Sequence, residues 1–215
     1  MEKIKVLNLY AGIGGNRKLW EDVDVTAVEI DPKIAKIYQD FFPNDKVIVG
    51  DAHKFLLEHF KEFDFIWSSP PCPTHSRVNT FLKGMGIYRF PDMKLYEEII
   101  FLQHYFKGNW VVENVISYYD PLIKPFKCNN HYYWSNFFIP FKESKIRNII
   151  KSSDRECKNP QEGIDYMQKE FGIDLSNLDI PKNMKEKVLN NCVQPDMGLF
   201  IFKCAFKDKQ KTLLT

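Results

Sequence analysis

The chain has 215 residues, a formal net charge of +2, 44% hydrophobic and 27% charged residues. Those proportions describe one globular domain with a small appendage, long enough to bury a core without disulfide staples. An aromatic share of 15% argues against disorder. No apolar run approaches the ~20 residues of a membrane span, so no membrane partner is expected. The N-terminus passes straight into a strand-like run, which predicts no signal peptide. The five cysteines, at 72, 128, 157, 192 and 204, include no CxxC pair. Zinc ribbons and disulfide frameworks are therefore poor readings; free thiols in a reducing cytosol, and no metal, are expected. A charge this small permits nucleic acid as a partner without demanding it.

Residues 4–9 read as a buried strand. Tyr10-Ala11-Gly12-Ile13-Gly14-Gly15 follows as a glycine turn, leading into a short helix through Leu19 and Trp20. Residues 23–30 are a second β-rich run. Asp31 and Pro32 then suit the N-cap and first position of a helix carrying Ile34, Ile37, Tyr38 and Phe41 at helical spacing. Residues 47–49 predict a third strand ending at Gly50-Asp51, and 55–60 a helix. Residues 63–67 predict a fourth strand ending at Ser68-Ser69-Pro70-Pro71-Cys72. A helix over 92–106 and a fifth strand over 110–113 complete an alternation that argues for a mainly parallel sheet covered on both faces. Beyond it, 131–140 look strand-like, short helices are expected near 161–171 and 182–190, and 195–206 fit helix or strand by pattern alone.

In such sheets a ligand sits beyond the C-terminal strand ends, and the distinctive residues lie there. Gly12, Gly14 and Gly15 would let a cofactor approach the backbone, or are a structural turn; the pattern is not GxGxxG. Glu29 is placed to accept from ribose hydroxyls, or is a solvated helix-start carboxylate. Asp51 would bond an adenine amine, or cap the following helix. Cys72 leaves the sheet on a proline-stiffened loop, with His75 and Arg77 available to lower its pKa. It reads as a nucleophile or as a packing cysteine; Cys192 and Cys204 read as packing. Glu113 closes an apolar strand, which is a site-like place for a carboxylate or a satisfied structural bond.

Leu9-Tyr10-Ala11-Gly12-Ile13-Gly14-Gly15, Val28-Glu29-Ile30-Asp31, Gly50-Asp51, Ser69-Pro70-Pro71-Cys72 and Glu113-Asn114-Val115 occur in that order. Near the end stands Asn190-Asn191-Cys192-Val193-Gln194-Pro195. The set closely resembles the cytosine-5 DNA methyltransferases. The resemblance implies a Rossmann-like class I fold dependent on S-adenosylmethionine, double-stranded DNA as partner, and a cytoplasmic setting in a bacterial or phage-infected cell, as in restriction-modification. It implies that Cys72 adds to C6 of a flipped-out cytosine and Glu113 holds its N3. Tyr10, Gly12 and Gly14 would line the methionine end of the cofactor, Glu29 its ribose and Asp51 its adenine. Pro71 and Asn191 would complete the pocket, and Asn114 would brace it.

The departures are specific. Asn8 stands where the family has Asp, and Asn190 where it has Gly. The family's Gln-x-Arg-x-Arg motif is not recognisable; His131, the run Trp134-Ser135-Asn136-Phe137, Arg147 and Arg77 are candidates for the missing charge, and Arg77 is taken as the catalytic one. The expected layout is a catalytic core over 1–141, a reduced recognition segment over 142–187, and a return to the core over 188–215. The middle segment is too short for a domain with its own core. Recognition then falls to it, to a mobile basic loop at 73–92, or to a partner, whether an auxiliary chain or a second copy. Three other readings stand beside DNA methylation: a tRNA cytosine-5 methyltransferase, a free-nucleotide methylase, and a silent binding module.

Overall fold

The computed structural model describes residues 2–142 and 160–206. Arg147 and Cys157 lie outside the described residues. The strands are β1 (Ile4–Leu9), β2 (Val23–Glu29), β3 (Lys46–Val49), β4 (Phe65–Ser68), β5 (Asn109–Val115), β6 (Phe126–Cys128) and β7 (His131–Ser135). The helices are α1 (Pro32–Phe41), α2 (Ala52–His59), α3 (Val78–Gly84), α4 (Lys94–Tyr105), α5 (Pro160–Phe171), α6 (Lys182–Asn190) and α7 (Pro195–Ala205). None of the helices among the described residues is long and apolar enough to cross a membrane.

One seven-stranded sheet runs in the order β3-β2-β1-β4-β5-β7-β6. The first five strands pair in parallel, β7 runs antiparallel to β5, and β6 antiparallel to β7. This is the mainly parallel, Rossmann-like sheet that the resemblance implies. The central strands are apolar on both sides, as a doubly covered parallel sheet requires. Val6, Phe65, Trp67 and Val111 face one layer, where Met197, Ile201 and Phe202 of α7 pack on them with Trp20. Leu7, Leu9, Ile66 and Val112 face the other, against Leu56 of α2 and Leu95, Ile99 and Leu102 of α4. The period-two alternation of each strand thus feeds two cores.

The ambiguous run at 195–206 is helix. Pro195 suits its first turn, and the apolar face at Met197, Ile201 and Phe202 needs helical spacing to reach the sheet. α7 lies flush on the segment after the glycine turn: a Cβ on Gly198 would sit 2.5 Å from the Asn16 carbonyl oxygen. The Trp20 indole donates to the Gly198 carbonyl at 3.2 Å. The helix expected through Leu19 and Trp20 does not form. Residues 10–19 make successive turns, with Gly14 N–H donating to Ala11, Lys18 to Gly15 and Trp20 to Arg17, all three-residue closures. The strand expected over 131–140 stops at Ser135, because the Ser135 hydroxyl turns to the Phe137 carbonyl and Asn136 bonds Trp110 and Gly108 across the edge. The 73–92 stretch contains the ordered helix α3 rather than loop throughout.

α5 and α6 do bury apolar surface, but not in a core of their own. Ile164, Met167, Phe171, Val188 and Leu189 share one cluster with Ile13 of the glycine turn and Ile37 of α1. The turn after α6 closes on the same place: a Cβ on Gly15 would lie 2.1 Å from Cys192 Sγ and 2.3 Å from the Val193 carbonyl oxygen. Gly15→Ala is accordingly expected to destabilise the protein by about 2–3 kcal/mol in urea unfolding, the scale of overpacking. Gly84→Ala, whose Cβ meets nothing within 4 Å, should stay within about 0.5 kcal/mol of the parent.

Candidate active site

Three parallel strands deliver the residues expected at the cofactor to one edge. The chain leaves β1 through Tyr10 (φ 54°), Gly12 (φ 55°) and Gly14 (φ 81°), three left-handed residues in five. Glycine suits this shape, and at Gly14 it is also required by space: a Cβ would lie 2.4 Å from the Phe42 ring. Gly12 has nothing within 4 Å of where a Cβ would point, so the outer side of the turn is open. Glu29, last in β2, is buried beneath it; its carboxylate accepts from the Gly12 N–H and the Asp31 N–H, both at 3.0 Å. It is not a solvated helix-start acid. Asp51 is exposed after β3 and accepts from the Lys54 N–H at 3.1 Å, a bond that holds its carboxyl below the usual range. It caps α2 and keeps acceptor capacity for a second donor.

Asn8, in the family's Asp position, forms a reciprocal amide pair with Asn16: each donates to the other, at 3.3 and 2.8 Å. An aspartate there could accept from Asn16 but could not donate back, so the substitution belongs with Asn16. Arg17 forks onto Asp45, which also accepts from the Tyr38 hydroxyl, and these bonds tie the glycine turn to the end of α1.

β4 and β5 bring the chemistry together. Cys72 follows β4 on a loop pinned to the chain after β5: Asn114 donates to the Pro70 carbonyl at 2.9 Å, and Tyr118 N–H to the His75 carbonyl at 3.1 Å. Asn114 thereby ties β5 to the loop that carries Cys72. Glu113 is 8% exposed and close enough for its charge to act on the thiol. The expected activation of Cys72 by His75 and Arg77 is not found. Burial, then the Glu113 charge, push the thiol above its ordinary value. His75 is buried with its ring Nδ1 at 2.6 Å from the Tyr119 hydroxyl, and burial lowers its pKa, so it brings no cation to the thiol. Arg77 stands exposed at the start of α3 and makes no ion pair among the described residues. Cys192 behaves as the expected packing residue, its thiol pushed up to about 12 by burial.

Of the candidates for the missing arginine, His131 is the one placed at Glu113. Its Nε2 lies 3.4 Å from Glu113 Oε1. In the β5–β7 ladder Glu113 faces Tyr133 and Val115 faces His131, so the pair meets on one face of the sheet. Trp134, Ser135 and Asn136 are committed to structural bonds. Pro71 and Asn191 are both exposed; Asn191 caps the C-terminus of α6, one residue before the Cys192–Val193 contact with Gly15.

One cluster was missed. Glu98 on α4 is wholly buried and gathers Tyr10, Ser68 and His53. Its signal in the sequence is a carboxylate on the apolar stripe Leu95, Ile99, Leu102. Among the described residues no group of His, Cys, Asp and Glu has the makings of a metal centre.

Residues 4–117 match the family model for the C-5 cytosine-specific DNA methylases, more than half of the chain, and the chain belongs to that family. The human tRNA (cytosine(38)-C(5))-methyltransferase is 30% identical over 122 residues, covering 48% of this chain and 31% of that protein. The rat protein of the same name is 29% identical over 85 residues, covering 36% and 22%. The match thus spans about a third or less of these relatives' length. A solved structure of a Spodoptera frugiperda DNMT2 mutant is similar at 21% identity and TM-score 0.45, covering 67% of this chain and 54% of that one.

Membership makes S-adenosylmethionine the methyl donor. The residues fit it: an open left-handed turn for the methionine end, a buried carboxylate for ribose hydroxyls, and an exposed carboxylate for the adenine amine.

The state of the thiol is testable on the free protein. Cys72 alkylation by iodoacetamide, followed by peptide mass, should be slow at neutral pH and climb about tenfold per pH unit up to pH ~9. Glu113→Gln removes the like charge and should speed it severalfold at any one pH in that range. A plateau reached below pH ~8 would contradict this assignment.

Proposed function

We propose that the protein transfers a methyl group from S-adenosylmethionine to C5 of cytosine in DNA, through a covalent adduct on Cys72 with the base flipped out of the stack. The observation that carries this reading is the placement of Cys72 and Glu113 at neighbouring strand ends, beside the Glu29–Gly12 turn. C5 of cytosine is a weak nucleophile. The Cys72 thiol gives its proton to the Glu113 carboxylate, and addition of the sulfur to C6 moves the C5–C6 electron pair onto C5. Glu113 then gives that proton to N3 and so neutralises the charge the addition pushes into the ring. S-adenosylmethionine, when bound, supplies the methyl group that C5 takes. Loss of the C5 proton to solvent then expels Cys72 and restores the ring. Asn114 keeps the Pro70 carbonyl, and with it the thiol, in place. His131, with its Nε2 3.4 Å from Glu113 Oε1, would orient that carboxyl toward N3.

A tRNA substrate is the second reading, favoured by the names of the relatives the chain matches. The same thiol addition would serve either nucleic acid.

The test is a denaturation-resistant adduct. Duplex DNA and tRNA, each containing 5-fluorocytosine, are incubated with protein and S-adenosylmethionine and resolved on denaturing gels. Wild type is expected to trap DNA, with the adduct mapping to Cys72 by mass and absent in Cys72→Ala. Trapping of tRNA alone moves the assignment to RNA; trapping of neither, by protein that binds cofactor, defeats both. His131→Gln is expected to slow methyl transfer about tenfold, the scale of one charge-assisted hydrogen bond.

A further inference from the structure

Glu98 is 0% exposed, on the face of α4 that carries Leu95, Ile99 and Leu102. Its Oε1 accepts from the Tyr10 hydroxyl at 2.6 Å and lies 3.0 Å from His53 Nδ1. Its Oε2 accepts from the Ser68 hydroxyl at 2.6 Å. One carboxylate thus gathers the residue after β1, the last residue of β4, the start of α2 and its own helix. The bond to Glu98 raises the basicity of His53 against the effect of burial, and His53 Nε2 also lies 3.4 Å from Glu97. Burial and Glu98 together push the Tyr10 phenol well up, so it stays a donor.

A carboxylate in this layer is a costly way to pack a helix. Apolar residues of similar volume replace buried polar clusters without loss in many folds. What these bonds hold is more telling. Tyr10 is a bulky residue in the left-handed region, at φ 54°, a shape that persists only when its surroundings impose it. Its hydroxyl bond to Glu98 is such a constraint. Ser68 pairs with Leu9 across β1 and β4, and the chain runs from it to Cys72.

We propose that Glu98 is a positioning residue: it clamps Tyr10, so that the turn keeps the shape that receives the cofactor, and through Ser68 it ties that turn to the strand leading to Cys72. The inference rests on the reading of this turn as the S-adenosylmethionine site. Glu98→Gln keeps the size but turns one oxygen into a donor facing a donor. Tyr10→Phe keeps the ring and removes only the hydroxyl. Binding of S-adenosylmethionine by titration calorimetry, thermal unfolding, and hydrogen exchange of the Ala11–Gly15 amides without cofactor are measured on wild type, both variants and the double variant. Each single variant is expected to weaken binding about tenfold. Each should speed exchange in the turn, and the double variant should be no weaker than the worse single one, because both cut one link. Unchanged affinity and exchange, whatever the melting temperature does, would reduce Glu98 to a packing residue and overturn the proposal; so would losses that multiply in the double variant. Should Glu98→Gln fail to fold, Tyr10→Phe decides alone. A wild type that binds no S-adenosylmethionine would overturn the cofactor reading itself, and the inference with it.

Discussion

The chain leaves β1 through three left-handed residues in five and packs there against the Tyr38 and Phe42 rings at the end of α1. That turn governs its neighbours. Its N–H at Gly12 fixes the Glu29 carboxylate, its missing Cβ at Gly14 admits the Phe42 and Tyr38 rings, and its missing Cβ at Gly15 admits the loop after α6. Ile13, between the glycines, is spent on the cluster with α5 and α6. The parts of the chain most distant in sequence therefore meet at one bend. Any side chain at Gly14 or Gly15 would separate them.

The nucleophile side works by a different constraint. Cys72 and Glu113 are held near each other with no cation at the thiol among the described residues, so burial and like charge both favour the protonated sulfur. In the proposed reaction this is useful. A cytosine whose N3 engages Glu113 removes the repulsion as it arrives, and the thiolate becomes accessible when its target is present. His131, partly exposed on β7, contacts the Glu113 carboxylate.

The sequence was most legible where one residue type serves one local purpose. Asp31 and Pro32 mark the start of α1, the apolar runs mark β1 and β4, and the acids and the cysteine mark the strand ends. It was least legible where a side chain answers to something far away. Nothing local says that Glu98 reaches Tyr10, 88 positions back; nor that His75 turns to Tyr119 rather than to Cys72. Nor does the pattern after Gly15 reveal that α7 lies flush on it, which leaves turns where local spacing suggested a helix. The short β6, three residues long, exists only as the partner of β7.

Set side by side, the two halves of the site differ in how firmly they are held. On the cofactor side Glu98, Asp45 and the Asn8–Asn16 pair bind buried groups to one another across several elements. Beyond Cys72 the chain is anchored at its ends, where the Thr74 hydroxyl accepts from Asp92 N–H and Tyr118 donates to the Arg89 carbonyl. Between those anchors Phe81, Met85, Tyr88 and Phe90 stand in solvent beside Arg77, Lys83 and Arg89. Apolar surface gathered so closely is uncommon on a chain that works alone. Aromatic rings interleaved with arginine and lysine suit the faces of unstacked bases and the phosphates between them. In the proposed reaction a small cofactor would be received by a turn set in advance, and a polymer with one base extruded would meet this exposed aromatic and basic segment.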